Sequence, residues 1–166
     1  SYGYSILARV LLSKNNVVIT TNFDPLTEDA LFMYTDQKPL VCGHESLSVF
    51  VNPVSPRPTV IKIHRDQFLA PKSATTDLSS LDVGFKTSLD NILRIYTPIV
   101  IGYGGNDPSL MGYLDQCDVL KGILWCARSG ETLSEPIKDL LRKKNGKVFE
   151  IQSFDDLMFQ IHVAAY

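Results

Sequence analysis

Cysteine, net charge and long apolar runs are all scarce in this chain, and each scarcity removes a class of protein. Cys42, Cys117 and Cys126 are the only cysteines in 166 residues. No two stand two residues apart, so the spacing holds neither a zinc ribbon nor a disulfide framework. A reducing, cytoplasmic setting is the expectation. Lys and Arg number 16 against 18 Asp and Glu, a net charge of −2. Without basic blocks there is no electrostatic footprint for nucleic acid. The longest apolar stretches reach about five or six residues, where a membrane helix needs about 20. No signal-type or Arg-rich leader opens the chain, and no export is expected. What remains, 45% hydrophobic and 20% charged, is globular in composition, and the length suits one domain over residues 1–166.

The apolar residues come in short bursts separated by helical patterns. Val17-Val18-Ile19-Thr20-Thr21 is β-branched throughout and reads as a strand buried on both faces. So do Thr59-Val60-Ile61-Lys62-Ile63, Pro98-Ile99-Val100-Ile101 and Ile123-Leu124-Trp125-Cys126. Lys147-Val148-Phe149-Glu150-Ile151 alternates, as an outer strand does. Leu81, Phe85, Leu89, Ile92, Leu93 and Tyr96 recur at helical steps, as do Phe154, Leu157, Met158 and Ile161. Ile6 to Leu12 reads as a helix before the first strand. Thr132 to Lys144 reads as one that stops at Asn145-Gly146, with Arg142, Lys143 and Lys144 at the negative end of its dipole. Residues 35–58 carry Pro39, Pro53, Pro56 and Pro58 and read as turns with short extended pieces, such as a hairpin. The polar stretch 65–80 reads as a mobile loop or lid. Strand–helix alternation predicts an α/β fold: a mainly parallel sheet with helices on both faces.

In such a sheet a ligand sits beyond the carboxyl ends of the strands, so the residues there are the candidates. The first strand delivers Thr20, Thr21, Asn22 and Asp24, and the strand at 59–63 delivers His64, Arg65 and Asp66. The strand at 98–101 delivers Gly102, Gly104, Gly105, Asn106 and Asp107; the next delivers Arg128, Ser129 and Gly130. Apolar strands ending in polar, glycine-rich clusters point to a polar ligand at one sheet edge. Each cluster also has a plain structural explanation. Asp24-Pro25 and Asp107-Pro108 have the form of helix starts, with Asp as N-cap and Pro in the first turn. Asn22 could close a turn, and His64 could simply end a strand. His44 and His162 stand apart from any polar cluster.

Two motif matches fail. His64-Arg65-Asp66 resembles a protein-kinase catalytic loop, but Pro71 stands where Asn is required, and no Asp-Phe-Gly follows. Gly102-Tyr103-Gly104-Gly105-Asn106-Asp107 starts like a dinucleotide fingerprint, yet Asp107 occupies the third glycine position.

Taken in order, Val17-Val18-Ile19-Thr20-Thr21-Asn22-Phe23-Asp24, then Val60-Ile61-Lys62-Ile63-His64, then Ile99-Val100-Ile101-Gly102-Tyr103 with Asp107, resemble the sirtuin superfamily in its bacterial sirtuin-like branch. The resemblance implies a Rossmann-like three-layer fold with an NAD site. It implies that Asn22 and Asp24, with Thr21 beside them, hold the nicotinamide ribose and carboxamide. His64 then orients the ribose or handles a hydroxyl proton, and Gly102, Gly104 and Asp107 lie near the cofactor's ribose and phosphates. The family's Gly-Ala-Gly-x-Ser strand is absent from these residues, which suggests a C-terminal part of a longer protein, a sheet incomplete at its N-terminal side, and weak NAD binding in isolation. Arg65 replaces a usual Gly and crowds the nicotinamide pocket, while Gly104 replaces a common Ser. Without a zinc ribbon, the acyl-lysine module of protein deacylases is not expected.

Three functions follow from that resemblance. The first is NAD hydrolysis with Asn22 and His64 catalytic, of the kind found in bacterial antiphage defence. The second is an inactive module that binds NAD, an ADP-ribose-type ligand or a protein. The third and weakest is an NAD-dependent lysine deacylase. Cleaving the nicotinamide–ribose bond builds oxocarbenium charge, which an amide, a carboxylate and an imidazole are suited to stabilise or exploit. The partners expected are the nucleotide ligand, with no zinc, nucleic acid or membrane. Self-association, or further domains of a parent protein, would complete the sheet.

Overall fold

Thr59-Val60-Ile61-Lys62 is the strand around which the first part of the chain is organised. In the computed structural model, which describes residues 1–13, 16–64 and 83–165, all four of its residues are buried. It is the middle strand of a three-stranded parallel sheet in the order β1-β3-β2, where β1 is Val17–Thr20, β2 is Leu40–Cys42 and β3 is Thr59–Lys62. β-Branched Thr59, Val60 and Ile61 suit such a site, because they fill a pleated surface covered on both faces. β1 is half-buried along its length, less than its apolar sequence suggests, because it flanks the sheet instead of lying in its middle. Helix α1 (Tyr2–Ser13) and helix α2 (Leu26–Thr35) pack with this sheet through Ala8, Leu11, Ala30, Leu31 and Val60. Helix α6 (Phe154–Ala165) places Asp155 at the start of α1, where its carboxylate accepts from Ser1 Oγ and from the Gly3 amide (3.0 Å). A carboxylate there satisfies an otherwise orphaned helix N–H and complements the dipole.

The hairpin expected within residues 35–58 does not form. β2 pairs parallel to β3, and a 3-10 turn at Glu45–Phe50, followed by a proline-rich return, carries the chain back to start β3 in the same direction. Buried Pro58 gives its carbonyl to the Leu40 amide (2.8 Å), which sets the register.

The second sheet runs β4-β5-β6, again all parallel, with β4 at Ile99–Ile101, β5 at Leu124–Arg128 and β6 at Lys147–Ile151. Around it lie helix α3 (Val83–Ile95), helix α4 (Pro108–Gln116) and helix α5 (Glu135–Lys143). Phe85, Leu89, Ile92 and Leu93 of α3 are buried, as the helical spacing predicts, and so is Trp125 of the central strand. Leu81 of the same pattern, and the loop expected at 65–80, lie outside the described residues. β6 is the outer strand of this sheet, as its alternation predicts. The chain divides into two compact units, Ser1–Lys72 with Asp155–Tyr166, and Ser73–Phe154. The architecture is α/β and Rossmann-like, built here from two small parallel sheets.

Helix α5 ends as its sequence indicates. Asn145 takes the left-handed conformation (φ 52°), and the Gly146 amide returns to the Leu141 carbonyl at 2.7 Å. Gly146 is required for space: a Cβ there would stand 2.9 Å from both Leu141 Cα and Ile123 Cγ2. Gly146→Ala is therefore expected to cost about 1–3 kcal/mol through overpacking. Urea unfolding checks this, as a lower midpoint at unchanged slope.

Candidate functional site

Strand register decides which side chains share an edge. Thr20 pairs with Lys62, and the Ile63 amide donates to the Thr20 carbonyl at 3.1 Å. Asn22 and His64 thus each stand two residues beyond a paired position, at the same end of neighbouring parallel strands. The Thr20 hydroxyl accepts from the Asn22 amide (3.0 Å) and turns the chain out of β1. Asn22, Phe23 and Asp24 are exposed, while Thr21 and His64 are half-buried. The Phe23 ring lies 6.1 Å from the His64 ring, tilted by 34°. Asp24 Oδ1 accepts from the Leu26 amide (3.1 Å), but the cap position of α2 is held by Pro25 itself, one residue later than the Asp-Pro pattern predicts. Tyr4 of α1 also bears on this edge: burial first, and the Asp24 carboxylate second, push its phenol above the ordinary value. The first unit therefore gathers Thr21, Asn22, Asp24 and His64, with Tyr4 and Phe23 as neighbours that the sequence reading did not single out.

Beneath this edge lies its firmest polar contact. Lys62 is only 3% exposed. Its ammonium donates to the carbonyls of Phe23 (3.2 Å) and Asp24 (3.1 Å) and pairs with Glu28 Oε1 at 2.8 Å. Three donors meet three acceptors, which is what a buried ammonium requires. The signal was present in the sequence, since a lysine inside an apolar strand must find partners, but the partners sit on another strand's exit loop and on α2.

In the second unit, Gly102, Gly104 and Asp107 follow β4. Gly102 takes a left-handed conformation (φ 67°), and among the described residues no non-adjacent atom lies within 4 Å of where its Cβ would be. The neighbouring Gly105 (φ 70°) is needed for packing, because a Cβ there would come within 2.8 Å of Ile137 Cγ1. Asp107 caps α4 as its sequence predicts: Oδ1 accepts from the Ser109 amide (2.9 Å), the Leu110 amide (3.4 Å) and the Ser109 hydroxyl (2.7 Å), with Pro108 in the first turn. Tyr103 donates to the Asp107 carbonyl (3.3 Å) and tilts against Trp125, ring centroids 5.9 Å apart. Burial, with the Asp107 charge second, pushes the Tyr103 phenol up to about 12.

In the first unit an exposed amide and carboxylate share a sheet edge with an imidazole and offer hydrogen-bond donors and acceptors. In the second, the left-handed Gly102 shapes a turn with no side chain of its own. Arg65 and Asp66, next to His64 in sequence, lie outside the described residues. Among the described residues no group of three His, Cys, Asp or Glu could hold a metal, and no helix is long and apolar enough to cross a membrane. Cys42, Cys117 and Cys126 are buried thiols, none of them in a disulfide.

Two predictions follow from the α4 cap. Asp107→Ala is expected to lower stability by about 0.5–2 kcal/mol, and Asp107→Asn, which keeps the accepting oxygen, by much less; urea unfolding of both checks this. An unfolded tyrosine ionises near pH 10, whereas folded Tyr103 holds its proton to about 12. The stability from keeping that phenol neutral is complete below about pH 10 and is lost as pH rises toward 12. Tyr103→Phe is expected to flatten this alkaline decline, measured as unfolding midpoints between about pH 9 and 11.5.

No curated protein sequence matches the chain. The SIR2-like domain family matches residues 16–147, a span that holds β1 with its Asn22–Asp24 exit, β3 with His64, and the turn from Gly102 to Asp107. With most of the chain covered, and the three strand-end clusters inside the match, this protein belongs to the SIR2-like domain family.

Proposed function

We propose that this SIR2-like domain binds NAD and hydrolyses its nicotinamide–ribose bond. The observation that carries the reading is the register of β1 with β3, which brings Asn22 and His64 out at one sheet edge with Asp24 beside them. In this reading Asn22 and Asp24, with Thr21, hold the nicotinamide ribose and carboxamide. Gly102, Gly104 and Asp107 are further cofactor contacts. The family match runs through both compact units, which supports treating residues 1–166 as one such domain.

The reaction needs little covalent help from the protein. The C–N bond breaks with its electron pair leaving on the nicotinamide nitrogen, and positive charge builds on the ribose. Water adds at the anomeric carbon and gives up a proton, so NAD and water become ADP-ribose, nicotinamide and a proton. The Asp24 carboxylate stabilises the developing charge, the Asn22 amide orients the sugar, and the His64 imidazole takes the proton from water or a ribose hydroxyl. The family in which bacterial antiphage NAD hydrolysis occurs supplies a setting for this activity, which we include in the proposal.

The test is NAD consumption by the full-length protein and by its Asn22→Ala and His64→Ala variants. Each variant is expected to lose about 100-fold or more in turnover while staying folded. Unchanged turnover in both removes their assigned roles. Tight ADP-ribose binding without any turnover identifies a binding module instead, and deacetylation of a peptide in the presence of NAD identifies a deacylase.

A further inference from the structure

We propose that Lys62 is the positioning residue of the candidate site, fixing where Asn22 and Asp24 are presented by gripping the loop between them from below. The proposal rests on the NAD-hydrolysis reading for its kinetic consequence, and on the geometry of β3 for its mechanism.

Asn22, Phe23 and Asp24 are exposed, so packing does little to hold them. Bonds near the two ends of the loop, Asn22 amide to Thr20 and Leu26 amide to Asp24, fix its exit from β1 and its entry to α2. The middle of the loop is held by the Lys62 ammonium, through the Phe23 and Asp24 carbonyls. Balancing Glu28 would take only one of the three donors; the other two are spent on loop carbonyls. Nor is the carboxylate arranged for its own sake, since Glu28 Oε2 is buried with no hydrogen-bond partner among the described residues. Lys62 itself rides on the buried middle strand of its sheet, paired with a neighbouring strand on each side. A rigid strand thereby sets the position of two exposed side chains. A displacement of about 1 Å at reacting groups can cost on the order of 100-fold in rate.

Lys62→Met keeps the aliphatic stem and removes all three bonds. Amide hydrogen exchange and NAD turnover are measured on the full-length protein, its Lys62→Met and Asn22→Ala variants, and the double variant. The expected result is faster exchange confined to the amides of residues 22–24, with β1 and β3 still protected. Turnover is expected to fall roughly 10- to 100-fold at little-changed KM, and the two losses to combine less than multiplicatively in the double variant, where Asn22 is already gone. Unchanged exchange at 22–24, or losses that multiply in full in the double variant, overturns the positioning role. If the wild-type protein consumes no NAD, the hydrolase reading fails by itself, and exchange at 22–24 alone decides whether Lys62 fixes the loop. If Lys62→Met does not fold, Lys62→Met combined with Glu28→Gln, which leaves no unpaired buried charge, is scored in the same way: faster loop exchange supports the proposal, and unchanged exchange overturns it.

Discussion

A single ammonium group, buried under the end of a parallel sheet, is the constraint on which the candidate site depends. Lys62 stands in the middle strand, where burial on both faces would normally demand an apolar residue. Its charge is tolerated because all three donors are satisfied, two by loop carbonyls and one by Glu28. Removing one partner of such a buried pair typically costs about 3–5 kcal/mol. The cost ties the loop after β1, the start of α2 and the core of the sheet into one arrangement. The exposed polar residues above it inherit that order without needing contacts of their own.

The second unit solves a related problem by other means. Its glycine-rich turn is shaped by backbone conformation and by a cap: left-handed Gly102 and Gly105, then Asp107 closing the first turn of α4. Gly105 is explained by Ile137, which leaves no room for a Cβ, whereas at Gly102 no such neighbour stands among the described residues. Two glycines three residues apart thus answer to different demands, one of packing and one of conformation. Tyr103, held between Asp107 and Trp125, joins this turn to the central strand of its sheet.

Much of this was legible in the residues. The positions of every strand but β2, the helical spacing from Phe85 to Leu93, the stop at Asn145-Gly146 and the Asp107-Pro108 start of α4 are local features, governed by periodicity, propensity and caps. The three strand ends that match the SIR2-like family are likewise short, contiguous stretches. The parallel pairing of β2 was not legible, because it is chosen by a return through a 3-10 turn and Pro58, not by the three residues of the strand. Nor was the half-burial of β1, since a β-branched run looks the same at the flank of a sheet as in its middle.

The sequence alone determined that the chain alternates strands with helices, and that amide, carboxylate and imidazole follow particular strands. Only the tertiary structure decided that Thr20 lies beside Lys62, so that Asn22 and His64 leave the sheet at one edge and a lysine from one strand grips the loop of another. The physical reason is range. Propensities and caps act over a few residues, whereas strand register and the satisfaction of a buried charge join groups about 40 positions apart, and only the folded sheet brings them within hydrogen-bonding distance.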